Sequence, residues 1–202
     1  TAKDFNSFDE LIREYLQCGI EVFGLETGIV SHIDQDQIYH VMDVISPVEA
    51  LVKDMEFPLA DTYCKEVYTT EKVMGFPKVG DLNFMECHPV YVQLKLEAYL
   101  SAPIYVEDKL YGTFNFTSVT PRENGFSQNE HNLIELMANS IGNFILLRSK
   151  EDKLLELNDK LKRFVGFVSH DLRNPIAGII GMSRILEKQL DNEKMLQKMM
   201  QY

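Results

Sequence analysis

Tryptophan is absent from this chain of 202 residues, cysteine occurs only at positions 18, 64 and 87, and positive charge is scarce. Three widely spaced thiols make neither a disulfide framework nor a CxxC metal site, and they suit a reducing, cytoplasmic compartment. Cys18 and Cys64 fall on helical stretches among apolar neighbours and are read as buried, inert thiols. Lys and Arg total 20 against 31 Asp and Glu, a formal net charge of −11. Nucleic-acid binders turn a basic face to the phosphates, so that class is excluded. No run approaches the roughly 18 apolar residues of a membrane helix, and the N-terminal residues lack the basic and apolar regions of a secretory signal. No membrane span is expected. His32, His40, His88 and His131 show no ligand spacing such as HxxxH, so no metal site is expected either. There is no P-loop GxxxxGK and no DxGxG run, hence no visible cradle for a nucleotide.

What is present is enough for one folded domain with an extension. Residues 5–24 place Phe8, Leu11, Ile12, Tyr15, Leu16, Ile20 and Phe23 at helical spacing, with Gly24 as a stop. Residues 28–33 and 38–45 read as a hairpin around Asp34-Gln35-Asp36-Gln37. The stretch 47–95 is irregular, with helical pieces near 60–69 and loops around Phe76-Pro77 and Gly80, where a pocket wall or lid would lie. Residues 98–106 and 110–118 predict two further antiparallel strands joined by Glu107-Asp108-Lys109.

After the turn-rich residues 120–125, helical periodicity begins near Ser127 and continues to about Gln189, too long for one helix of a compact globule. Steps of four and three pass through Leu133, Met137, Ser140, Phe144, Leu147, Glu151, Leu154, Asn158, Leu161, Val165, Val168 and Leu172. That heptad seam predicts a parallel coiled-coil homodimer, with Asn158 at an a position fixing the register. The alternative is a helix lying on its own domain. The same register puts His170 at an f position, away from the seam and open to another protein's phosphoryl group. Asp171 can hold one ring nitrogen as N–H or accept a proton, and Asn174, one turn on, can position a water. Pro175 removes one backbone donor and should bend the helix just beyond.

The run Phe167-Val168-Ser169-His170-Asp171-Leu172-Arg173-Asn174-Pro175-Ile176 resembles the H-box of HisKA-class sensor histidine kinases. The resemblance implies that His170 is the phosphoacceptor, that Asp171 assists the transfer, and that Asn174 serves when the protein acts as a phosphatase on its response regulator. It also implies a catalytic ATP-binding domain that uses ATP and Mg and that this sequence lacks. The first helix is expected to end near Leu190-Asp191-Asn192, with residues 193–202 beginning a second bundle helix. Such a fragment should be inactive alone.

Residues from about 5 to 148 resemble a GAF domain. The stretches that carry this are 57–64 (FPLADTYC), His88-Pro89 with 96–104 (LEAYLSAPI), 110–116 (LYGTFNF), and the helical run 134–138 (IELMA) to Ile141-Gly142. The implied fold is α+β: an antiparallel sheet flanked by helices, holding an unknown small ligand. Cys87-His88, with Asp61 in the 57–61 loop, is also similar to the bilin-attachment segment of phytochrome-type GAF domains, and a thiolate beside an imidazole suits addition to a vinyl group. Pro89 and the lack of tryptophan favour an unpigmented sensor. The expected organisation is a GAF sensor domain over 1–148, a coiled-coil signalling helix over 149–164 and a partial dimerisation and phosphoacceptor region over 165–202. It implies the sensor and phosphoacceptor part of a two-component histidine kinase that passes phosphate to a receiver domain. The alternative is a ligand-binding GAF module that its helical tail merely dimerises.

Overall fold

A computed structural model describes the backbone of residues 8–199 and the side chains of residues 9–189. It divides into two compact units, Thr1–Arg148 and Ser149–Tyr202. The first unit holds α1 (Phe8–Phe23), β1 (Thr27–Ile33), β2 (Ile38–Ile45), β3 (Glu56–Pro58), α2 (Cys64–Thr70), β4 (Met74–Phe76), α3 (Pro89–Leu94), β5 (Ala98–Val106) and β6 (Lys109–Ser118). The last helix, α4 (Gln128–Met199), starts in that unit and supplies the second. The strands form one antiparallel sheet in the order β3-β2-β1-β6-β5-β4.

Two tight turns set the sheet register. Asp34 Oδ1 accepts from the backbone N–H groups of Asp36 and Ile38, closing the β1–β2 turn. Glu107 and Asp108 both take positive φ, 50° and 61°, the geometry that lets a two-residue turn follow the strand twist. Strand side chains alternate between faces, so each central strand feeds two cores. Val30, Leu100, Phe114 and Phe116 pack under Ile12, Leu16 and Phe23 of α1 and Ile134, Met137 and Ile141 of α4. Ile29, Tyr39, Val41 and Tyr99 point the other way, to Leu59, Tyr63, Cys64, Val67 and Met85. Two glycines permit the close helix approach: a Cβ at Gly19 would overlap the Phe116 ring, and one at Gly142 would overlap the Tyr105 carbonyl.

Helix ends follow local chemistry. Gly24, at φ 62°, ends α1 and returns its N–H to the Ile20 carbonyl. Ser127 and Glu130 form a reciprocal capping box at the start of α4, each side chain accepting from the other's backbone N–H. Cys18, expected to be buried, is exposed, because it lies two residues, roughly 200° of helix rotation, beyond the buried Leu16.

Two expectations about α4 change. The seam read from Leu133 is partly used at home: Met137 is a core residue, and the Ser140 hydroxyl pairs with that of Tyr15 at 2.9 Å. The exposed part of the seam therefore begins at Leu147. The break expected near Leu190-Asp191-Asn192 is also missing, since α4 runs on to Met199. No glycine or proline follows Gly181 to stop it. The second bundle helix expected from residue 193 is therefore not formed up to Met199, and residues 200–202 lie outside the described residues.

Candidate functional site

The segment 167–176 is helical throughout, with Pro175 inside α4. Its apolar residues Phe167, Leu172 and Ile176 are exposed in the single chain. The His170 side chain is 75% exposed and that of Asp171 82%. His170 Nδ1 and Asp171 Oδ1 stand 3.3 Å apart, a long and solvent-screened contact that orients the ring more than it stabilises the helix. Asn174 is exposed one turn further on. His170 and Asn174 therefore share a helix face, with Asp171 in contact with the imidazole.

A second candidate lies on the α2 side of the sheet in the first unit. There a cavity of about 340 Å³ is lined by β1, β2, β5 and β6 on one side and by the 46–57 loop, α2 and α3 on the other. Tyr39, Cys64, Tyr99 and Asn115 form its buried floor. Burial raises the Tyr39 and Tyr99 phenols and the Cys64 thiol above their ordinary pKa values, which keeps all three neutral. A thiol held protonated in this way is a poor nucleophile. Cys64 is buried as the sequence suggested; Tyr39, Tyr99 and Asn115 were not singled out there, although their signal was present, since they are polar-tipped positions on strands whose other face is apolar.

Of the three residues tied to a pigment, only Asp61 lines this cavity; its carboxylate lies near enough to act on His88, which packs behind the lining residue Tyr63. Asp61 lines it at an exposed edge, whereas Cys87 is exposed and outside the lining. His88 caps α3, its Nδ1 accepting from the Val90 N–H at 3.3 Å, and its ring packs on Tyr63 at 4.9 Å. Burial lowers the His88 pKa. A bilin carries two propionate carboxylates, and no Lys or Arg lines the cavity to receive them. The residues present do not fit that group.

The remaining polar histidines are engaged within the fold. His40 Nε2 meets Asp34 at 2.9 Å and its Nδ1 meets Glu56 at 3.1 Å, while His32 Nδ1 lies 2.8 Å from the Tyr111 carbonyl. The hydrogen bond to Asp34 raises the His40 pKa, and the same bond lowers that of Asp34. Among the described residues, no helix is long and apolar enough to cross a membrane.

Comparison with known proteins divides the chain in the same sense. The GAF domain model matches residues 6–145, and the His Kinase A (phospho-acceptor) domain model matches residues 160–201. A curated relative, the methanogenesis regulatory histidine kinase FilI of Methanothrix harundinacea, is 35% identical over 112 residues, 47% of this chain. The chain spans only 12% of the length of that relative. Among solved structures, GAF3 from Slr1393 of Synechocystis sp. PCC6803, in its photoproduct state, aligns with a TM-score of 0.58 at 18% identity, over 73% of this chain and 99% of that one. The GAF domain of an Acinetobacter phosphoenolpyruvate-protein phosphotransferase aligns with a TM-score of 0.56 at 11% identity, over 71% of this chain and 92% of that one. At such identities the likeness concerns the fold.

Proposed function

The chain belongs to the GAF domain family and continues into a His Kinase A phospho-acceptor segment, and from that premise we propose that it is the sensor and phosphoacceptor part of a two-component histidine kinase. The cavity of the first unit receives the signal. Strand β6 carries it, since Asn115 and Thr117 line the cavity while Phe114 and Phe116 on the same strand pack against α1 and α4. A discrete shift of β6 therefore biases the helices that lead to His170.

The phosphoryl step follows from the His170–Asp171 pair. With the Nδ1 proton donated to Asp171, the free Nε2 lone pair attacks the γ-phosphorus of ATP; the N–P bond forms as the bond to ADP breaks. ATP and Mg are brought by a catalytic domain outside this sequence. A receiver domain takes the phosphoryl group onto a carboxylate, and Asn174 positions the water that later removes it. Two chains join through the exposed seam of Leu147, Leu154 and Leu161, which leaves His170 outward. The cytoplasm supplies the nucleotide. The observation that carries this reading is an exposed imidazole in contact with a carboxylate, with Asn174 one helical turn further on the same face.

Supplied in trans with a catalytic domain of the same family, ATP and magnesium, the wild-type chain should gain an acid-labile phosphate, and His170→Gln should gain none. Asp171→Asn should slow the gain by about 100-fold, the usual worth of positioned acid–base help. Equal incorporation in His170→Gln and wild type would overturn the reading. With ATP and magnesium alone the chain should remain unlabelled.

A further inference from the structure

From the lining of the cavity we infer that the molecule sensed by the first unit is uncharged and predominantly apolar, of about two fused rings. This rests on the reading of that unit as the input domain. The polar side chains of the wall are already paired with protein. Thr27 bonds Ser46 at 3.0 Å, Asn115 donates to the Tyr39 hydroxyl at 2.9 Å, and Thr62 donates to the Leu59 carbonyl at 2.9 Å. Tyr63 donates to the Leu96 carbonyl at 3.1 Å, Tyr99 to Cys64 Sγ at 3.3 Å, and Thr117 to the Ala98 carbonyl at 2.9 Å. A charged ligand would lose its water here and find few free partners in return.

Charge points the same way. No Lys, Arg or His lines the cavity, and its one ionisable edge residue, Asp61, repels anions. Carboxylates, phosphates and cyclic nucleotides are thus disfavoured together. The interior offers the rings of Tyr39, Phe57, Tyr63 and Tyr99 for stacking. At the rim, Val48, Leu94 and Val119 are each more than half exposed, an apolar mouth open to solvent. The volume of about 340 Å³ is roughly twice the ~150 Å³ apolar cavity that holds one benzene ring.

The test compares indole with indole-3-acetate, which share a ring system and differ by a carboxylate. Calorimetric titration of the whole chain should show saturable indole binding and indole-3-acetate at least about tenfold weaker. Leu51→Trp, which fills the cavity, should abolish the indole heat while unfolding in urea stays cooperative. If that variant does not fold, Leu94→Arg at the exposed rim provides a second readout and should strengthen indole-3-acetate binding by several-fold. Failure of indole to bind at millimolar concentration, equal or tighter binding of indole-3-acetate or cyclic AMP, or undiminished indole binding in folded Leu51→Trp would each overturn the inference. None of these outcomes alters phosphate incorporation at His170, so the proposed kinase role stands or falls separately.

Discussion

His40 and His88 sit in opposite surroundings and should titrate apart. The carboxylate of Asp34 raises His40 above 6.5, and burial lowers His88 below it. The His40 contribution to stability is thus complete below pH 6.5 and lost as pH rises through its raised pKa; the His88 term has the opposite sign, and stability falls as pH drops from 6.5 through its lowered value. A proton–carbon correlation NMR titration should place the His40 midpoint above that of His88, and the reverse order would show that the β1–β2 hairpin contacts do not persist in solution. Phe116 exemplifies the other kind of residue. Its ring is fully buried against Phe23 and Phe114 and beneath the Gly19 position. Phe116→Ala should cost about 3–5 kcal/mol in chemical denaturation; a loss under 1 kcal/mol would be inconsistent with that packing.

Elements were legible in the sequence in proportion to their length and period. Helix α1 and strands β1, β2, β5 and β6 were visible because each repeats its apolar pattern for several residues. Strands β3 and β4 were not, since three residues cannot display a period of two. Helix α3 was hidden among loops, and its start depends on a His88 cap followed by Pro89 rather than on amphipathic spacing. Periodicity alone placed the start of α4 near Ser127, and the capping box that fixes it emerged from the structure; Ser127→Ala should lower stability by ~1 kcal/mol, read as a shift of the urea midpoint. Beyond Phe164 the exposed apolar residues of α4 exceed a strict two-position seam, with Phe164, Ile176 and Ile185 joining Val165, Leu172 and Ile179. A stripe that wide suits a helical bundle better than a two-stranded coil. The functional histidine was legible because its chemistry is local, whereas the cavity was not, because its wall comes from residues 27 to 119 and exists only once the sheet closes.

For the whole molecule, the division at Arg148/Ser149 has a physical consequence. A chain ending at Arg148 keeps both cores and should unfold cooperatively, yet it loses all of the exposed seam beyond Leu147 and should be monomeric by light scattering. The 202-residue chain should be dimeric, and charged residues in place of Leu154 and Leu161 should make it monomeric with the sensor unit still folded. The claim on which the functional reading depends is that phosphate resides on His170. Trypsin cleavage after Arg163 and Arg173 releases residues 164–173, a peptide in which His170 is the sole histidine. After labelling with a catalytic domain in trans, mass spectrometry at neutral pH should find the phosphate on that peptide, localised to His170. Phosphate on a peptide bearing His131, or on a serine of any peptide, would contradict it.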